Sequence, residues 1–175
     1  MTLHRMIGHD PSILSGTKVR RFAEYWQSLR TGDRLPSRRD LDPAAFVFCL
    51  PNVLLMDLTH SPLRVRYRLV GTAVVAISKL DFTGRYLDEL SFPNPHFDWT
   101  AFYRKLVDDR QPLYGSVPLE STLGERRYDL GLFPLSGDGE TIEKAIAVED
   151  YDSVGGWLEY AHVADARVTG ENDRR

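Results

Sequence analysis

One cysteine, Cys49, serves the whole chain of 175 residues, so no disulfide can close within it and no cysteine-rich zinc site can be built. Such sparing use of thiols suits a reducing compartment, and a cytoplasmic location is expected. Long hydrophobic runs are missing too: no window approaches the roughly 18 apolar residues that a membrane span needs, and the opening MTLHRMIGHDPSILSG lacks the apolar stretch of a secretory signal. Basic residues are not in excess. With 22 Lys and Arg against 25 Asp and Glu, the net charge of −3 repels phosphate, and no nucleic acid partner is expected. Catalytic signatures are absent as well: there is no G-x-S-x-G elbow, P-loop, H-E-x-x-H or G-x-G-x-x-G. The five histidines, His4, His9, His60, His96 and His162, never fall three or four apart, so no metal site is indicated.

What the chain has is core material. It is 42% hydrophobic and 11% aromatic, and a single domain of this length can remove roughly 70% of its unfolded surface from water. Residues 1–15 carry little periodicity and read as a flexible arm; 16–152 read as the folded domain; 153–175 read as a partly disordered extension. Val19, Phe22, Trp26 and Leu29 form one stripe of an amphipathic helix. That stripe must pack on the sheet or on a second copy of the chain, which makes Trp26 a candidate contact for a homodimer. Asp42 and Pro43 match an N-cap and first-turn pair opening a short helix.

Residues 52–59 and the alternating Arg64, Val65, Arg66, Tyr67, Arg68 and Leu69 read as a hairpin, with Val65, Tyr67 and Leu69 inward. A short helix carries Val74 and Ile77, and another carries Trp99, Phe102, Tyr103 and Leu106 at i, i+3, i+4 and i+7. Three strands follow, at 113–121, 126–135 and 141–151, joined by glycine-bearing turns. Two groups of hairpin-linked strands with helices between them make an antiparallel α+β fold.

Several residues invite a chemical reading. Cys49 sits among large apolar neighbours and reads as a buried small hydrophobe rather than a nucleophile. Glu149, Asp150 and Asp152 could supply a general base, but read more simply as a solvated strand end. Arg64, Arg66 and Arg68 form a basic stripe that either resists edge-to-edge pairing or meets a protein partner. The aromatic side chains of the middle helices, together with tyrosines of the strands, could enclose a pocket of a few hundred Å³.

The succession YWQSLRTGDRLPSRRDLDP, LPNVLLMDL, RYRLVGTAVV and DFTGRYLDEL, with the later GERRYDLGLFPLSGDGETIEKAIAV, resembles the PAS-like family of small bacterial proteins over about residues 20–152. The resemblance implies a five-stranded antiparallel sheet with helices on one face, here with an added N-terminal helix. It also implies a stand-alone, non-enzymatic sensory or interaction domain in signalling, bound to a protein partner. A small apolar or aromatic ligand would lie near Tyr67, Val74, Ile77, Tyr86, Trp99, Phe102, Tyr103 and Tyr128. No cofactor is named by it. The N-C-R cysteine of the flavin photoreceptors has no counterpart, since Cys49 precedes the first hairpin strand, and only His96 could serve a haem. No kinase, cyclase or DNA-binding segment follows, so output would pass through non-covalent partners. Two other readings are an enzyme of the cone-shaped α+β isomerase or dehydratase type, and a scaffold with a filled core.

Overall fold

The computed structural model describes residues 7–92, 97–121, 124–155 and 167–169. Its elements are β1 (Ile7–Gly8), α1 (Lys18–Ser28), β2 (Val53–Thr59), β3 (Arg64–Val70), α2 (Thr72–Ser78), β4 (Leu90–Ser91), α3 (Trp99–Asp109), β5 (Leu113–Ser121), β6 (Gly124–Leu135), β7 (Lys144–Asp150) and β8 (Arg167–Val168). Six strands form one antiparallel sheet in the order β1-β5-β6-β7-β2-β3. The α+β class and the grouping of two early and three late strands are as the sequence indicates. The sixth strand comes from the segment read as an arm. Ile7 and Gly8 pair with Gly115 and Tyr114, the His9 ring lies 2.9 Å from both the Pro112 carbonyl and the Asp109 carboxylate, and Leu14 is buried in the core. Residues 7–15 are therefore docked, because an edge strand's free carbonyls and a hollow for one leucine hold them.

The helix α1 lies on one face of the sheet with Val19, Phe22, Ala23 and Trp26 buried. Its seat needs two glycines. A Cβ on Gly131 of β6 would lie 2.4 Å from Val19 Cγ1, and one on Gly16 would lie 2.4 Å from an oxygen of Asp150. With neither present, Asp129 and Asp150, opposite each other on β6 and β7, accept from the free N–H groups at the helix start: Gly16 N at 2.6 Å and Lys18 N at 3.0 Å. Trp26 is 1% exposed and donates its indole N–H to the Pro134 carbonyl at 3.1 Å. It is a core residue of this chain and is not available to a second copy.

Pro43–Asn52 continues the cover of this face as 3₁₀ turns broken at Phe46, with the Asp42 side chain accepting from Ala44 N. The hairpin of β2 and β3 departs from strict alternation. Leu55 faces Leu69 and Met56 faces Tyr67, so Arg68 is an extra residue, a β-bulge. Beyond it the period slips and Leu69, expected inward, is 47% exposed. The other face of the sheet carries α2, α3 and the connector between them. Asp98 caps α3 by accepting from Ala101 N. The short pair β4–β8 brings Val168 of the C-terminal extension against Leu90. Among the described residues no helix is long and apolar enough to cross a membrane.

Candidate functional site

Strand alternation sends one set of side chains from β6 and β7 toward α1 and the other toward α2 and α3. Tyr128, Leu130 and Leu132 of β6 and Ala147 and Glu149 of β7 take the second direction. With Tyr67 from β3, Val74 and Ile77 from α2, and Trp99, Phe102 and Tyr103 from α3, they enclose a cavity. Seven of the eight ligand-site residues expected from sequence thus meet. Tyr86 does not: its ring lies outside, 3.8 Å beneath the Arg64 guanidinium. The space left is about 60 Å³. That is less than the few hundred Å³ expected, because the rings fill most of it. Tyr67, Phe82, Phe92 and Trp99 follow one another at centroid separations of 4.8, 5.4 and 5.7 Å, mostly edge to face.

The carboxyl in this wall was not expected from the sequence. Glu149, read as part of a solvated strand end, is only 7% exposed and lines the cavity. The Tyr151 hydroxyl donates to its Oε2, and the Asn52 side-chain amide donates to its backbone carbonyl at 2.6 Å. Burial pushes its carboxyl up to about 7, while the Tyr151 hydrogen bond acts in the opposite direction. Burial likewise raises the phenols of Tyr67, Tyr103, Tyr128 and Tyr151, which stay neutral. Tyr103 donates to Tyr67 at 3.5 Å. The Trp99 indole N–H is buried and has no hydrogen-bond partner among the described residues. Glu149 and Tyr151, like Phe82 and Phe92, line the cavity without having been expected there. The signal was there in part: the A-I-A-V-E-D alternation keeps Glu149 on the face of Ala147, and hence inward.

The remaining candidates fall elsewhere. Cys49 is buried, donates weakly to the Phe46 carbonyl, and has its thiol pushed up to about 11 by burial, which suits packing rather than attack. The arginine stripe is engaged within the chain. Arg64 grips Asp88 with two bonds of 2.9 Å, Arg66 donates to the Gly84 carbonyl at 3.1 Å, and Arg68 lies 3.3 Å from Asp57. His96 lies outside the described residues, and among those described no group of three His, Cys, Asp or Glu could hold a metal. A second hollow, of about 420 Å³, lies beside Pro43–Pro51, β2 and β3, with Arg38 its one charged lining residue.

Residues 15–146 match the family model of the PAS domain. No curated protein matches the chain. Among solved structures it is similar to a fungal LOV domain photoreceptor, at 13% identity and a TM-score of 0.40, over 73% of this chain and 88% of that one. A LOV protein of Rhodobacter sphaeroides is similar at 14% identity and a TM-score of 0.38, over 74% of this chain and 66% of that one. An RNA-binding light-oxygen-voltage receptor is similar at 12% identity and a TM-score of 0.41, over 87% of this chain and 40% of that one. The family match spans well over half the sequence and covers α1, both hairpin strands, the helical connector and most of the closing strands, so this chain belongs to the PAS domain family.

Proposed function

We propose that this PAS domain is a sensory and interaction module of bacterial signalling in the cytoplasm, taking up a small molecule between the sheet and α2–α3 and passing its state to a protein partner. The observation that carries the reading is the wall of that cavity. It combines apolar rings with the Glu149 carboxyl, which receives one phenol hydroxyl and meets no cation among the described residues. A filled scaffold core would have no use for a carboxyl buried among rings. Anything of more than a few non-hydrogen atoms must displace a ring, and Phe92 and Trp99, both half-buried, stand at the wall where that is least costly. The proposed partner contact is the edge strand β3 with Arg64 and Arg68, whose side chains are 40% and 52% exposed. Native mass spectrometry of the protein as purified, repeated on Ala147→Leu, tests the uptake: the reading expects a retained small molecule in the first and none in the second, both proteins melting cooperatively. A cavity empty in both under all conditions of purification leaves the scaffold.

A second reading has one observation in its favour. A carboxyl near 7 beside buried phenols is what a general base needs. The isomerase-type enzyme would exchange the α-protons of a small ketone for deuterium in D₂O, and Glu149→Gln would stop it. No exchange above the solvent rate returns Glu149 to the binding reading.

A further inference from the structure

Among the described residues, the one acidic group that lines the cavity meets no cation. Glu149 is held at 7% exposure with one phenol donating to it. Among the described residues no Lys, Arg or His lines this cavity, and none of the ion pairs includes Glu149. A carboxylate in apolar surroundings is costly unless a cation meets it. The two other buried carboxylates of the sheet show how this chain meets the need. Asp150 receives the Lys18 backbone N–H, the Asp152 backbone N–H and the Lys18 ammonium at 3.6 Å, and Asp129 receives Gly16 N and the Ser15 hydroxyl. Around Glu149 there are tyrosine rings instead: Tyr67, Tyr103, Tyr128 and Tyr151. Electron-rich ring faces attract cations, and an aromatic enclosure with a carboxylate is the chemistry that recognises ammonium groups.

Resting on the small-molecule reading above, we infer that the cavity selects a small organic ammonium ion, which donates to the Glu149 carboxylate and packs its alkyl part among the tyrosine rings. A cation serves the site better than a neutral acceptor does. An acceptor leaves the cost of the buried carboxylate in place, whereas an ammonium removes that cost. The space of about 60 Å³ sets the size at a few non-hydrogen atoms in the state described.

The inference has a signature in pH. The groups facing Glu149 are Tyr67 from β3, Tyr103 from α3, Tyr128 from β6 and Tyr151 at the end of β7, with the Asn52 amide on its backbone. The phenols are all raised, so Glu149 is the group among them that titrates near neutrality. An ammonium needs the carboxylate, so its affinity climbs about tenfold per pH unit below about pH 7 and levels above it.

The test titrates the intact protein calorimetrically with propylammonium chloride and with 1-propanol, its neutral counterpart, at about pH 5.5, 6.5 and 8. Propylammonium should bind roughly tenfold more tightly at about pH 6.5 than at about pH 5.5, and more tightly again at about pH 8, while 1-propanol binds weakly and without a pH trend. Glu149→Gln should lose the propylammonium binding and keep that of 1-propanol; if that variant does not fold, the two wild-type profiles decide. Equal or tighter binding of 1-propanol at about pH 8, or a pH-independent propylammonium affinity, overturns the ammonium assignment and leaves small-molecule uptake standing. Binding of neither probe, with no molecule retained in native mass spectra, overturns both.

Discussion

The two faces of β6 and β7 bury similar aromatic bulk to different ends. Toward α1, Phe22, Trp26 and Phe133 interlock at centroid distances of 4.9 to 6.1 Å, and the Trp26 indole has its acceptor. Toward α2 and α3, Trp99 is as large but its N–H has none among the described residues. The carboxylates divide in the same way: Asp129 and Asp150 gather backbone donors and a lysine, while Glu149 has one phenol. Identical strands thus present two carboxylates with several donors on one side and one carboxyl with a single phenol on the other.

Breaking the face toward α1 should cost most. Trp26→Ala removes the largest buried side chain of α1 and its hydrogen bond, and stability should fall by about 3–5 kcal/mol in chemical denaturation. Light scattering should show the same oligomeric state before and after, since Trp26 faces this chain's own sheet.

The face toward α2 and α3 gives a pH dependence of smaller size. Glu149 has a folded-state carboxyl raised from 4.5 to about 7, so the native protein holds its proton more tightly than the unfolded chain does. Its contribution is fully present below about pH 4.5 and is lost as pH rises through about 7, a span on the order of 3 kcal/mol. Denaturation midpoints measured across this range should carry a component that falls with pH in the wild type and is missing in Glu149→Gln. If the two proteins show superimposable pH profiles, Glu149 is not buried as a lone acid.

The smallest effect belongs to neither face. Arg68 is exposed on the bulge and its partner Asp57 keeps Lys144, so Arg68→Ala should change stability by about 0.5 kcal/mol or less. Loss of a co-purifying protein partner in Arg68→Ala, with folding intact, would place the interaction surface on β3.

The strands and helices that border the cavity were legible because their patterns are local. The alternation of Arg64 through Tyr67 and the i, i+3, i+4 spacing of Trp99, Phe102 and Tyr103 each name a face without knowledge of the rest. What could not be read depends on a neighbour. The bulge at Arg68 exists only against Leu55 and Met56, and it alone turns Leu69 outward. Residues 7–15 look unstructured until β5 offers an edge. Glu149 and Asp150 read alike in sequence, yet alternate positions send one into the ring-lined cavity and the other to the start of α1. Tyr86 has the composition of a cavity residue, but Arg64 holds it outside.

The difference between the faces comes down to the state of one carboxyl group. Carbon-13 NMR of the Glu149 side chain, titrated in the free protein and again with saturating propylammonium, reads that state directly. A free midpoint near 7 that moves down toward the ordinary glutamate value when the cation binds is the predicted result. A free midpoint already near 4.5, or one that the cation leaves unmoved, would contradict it.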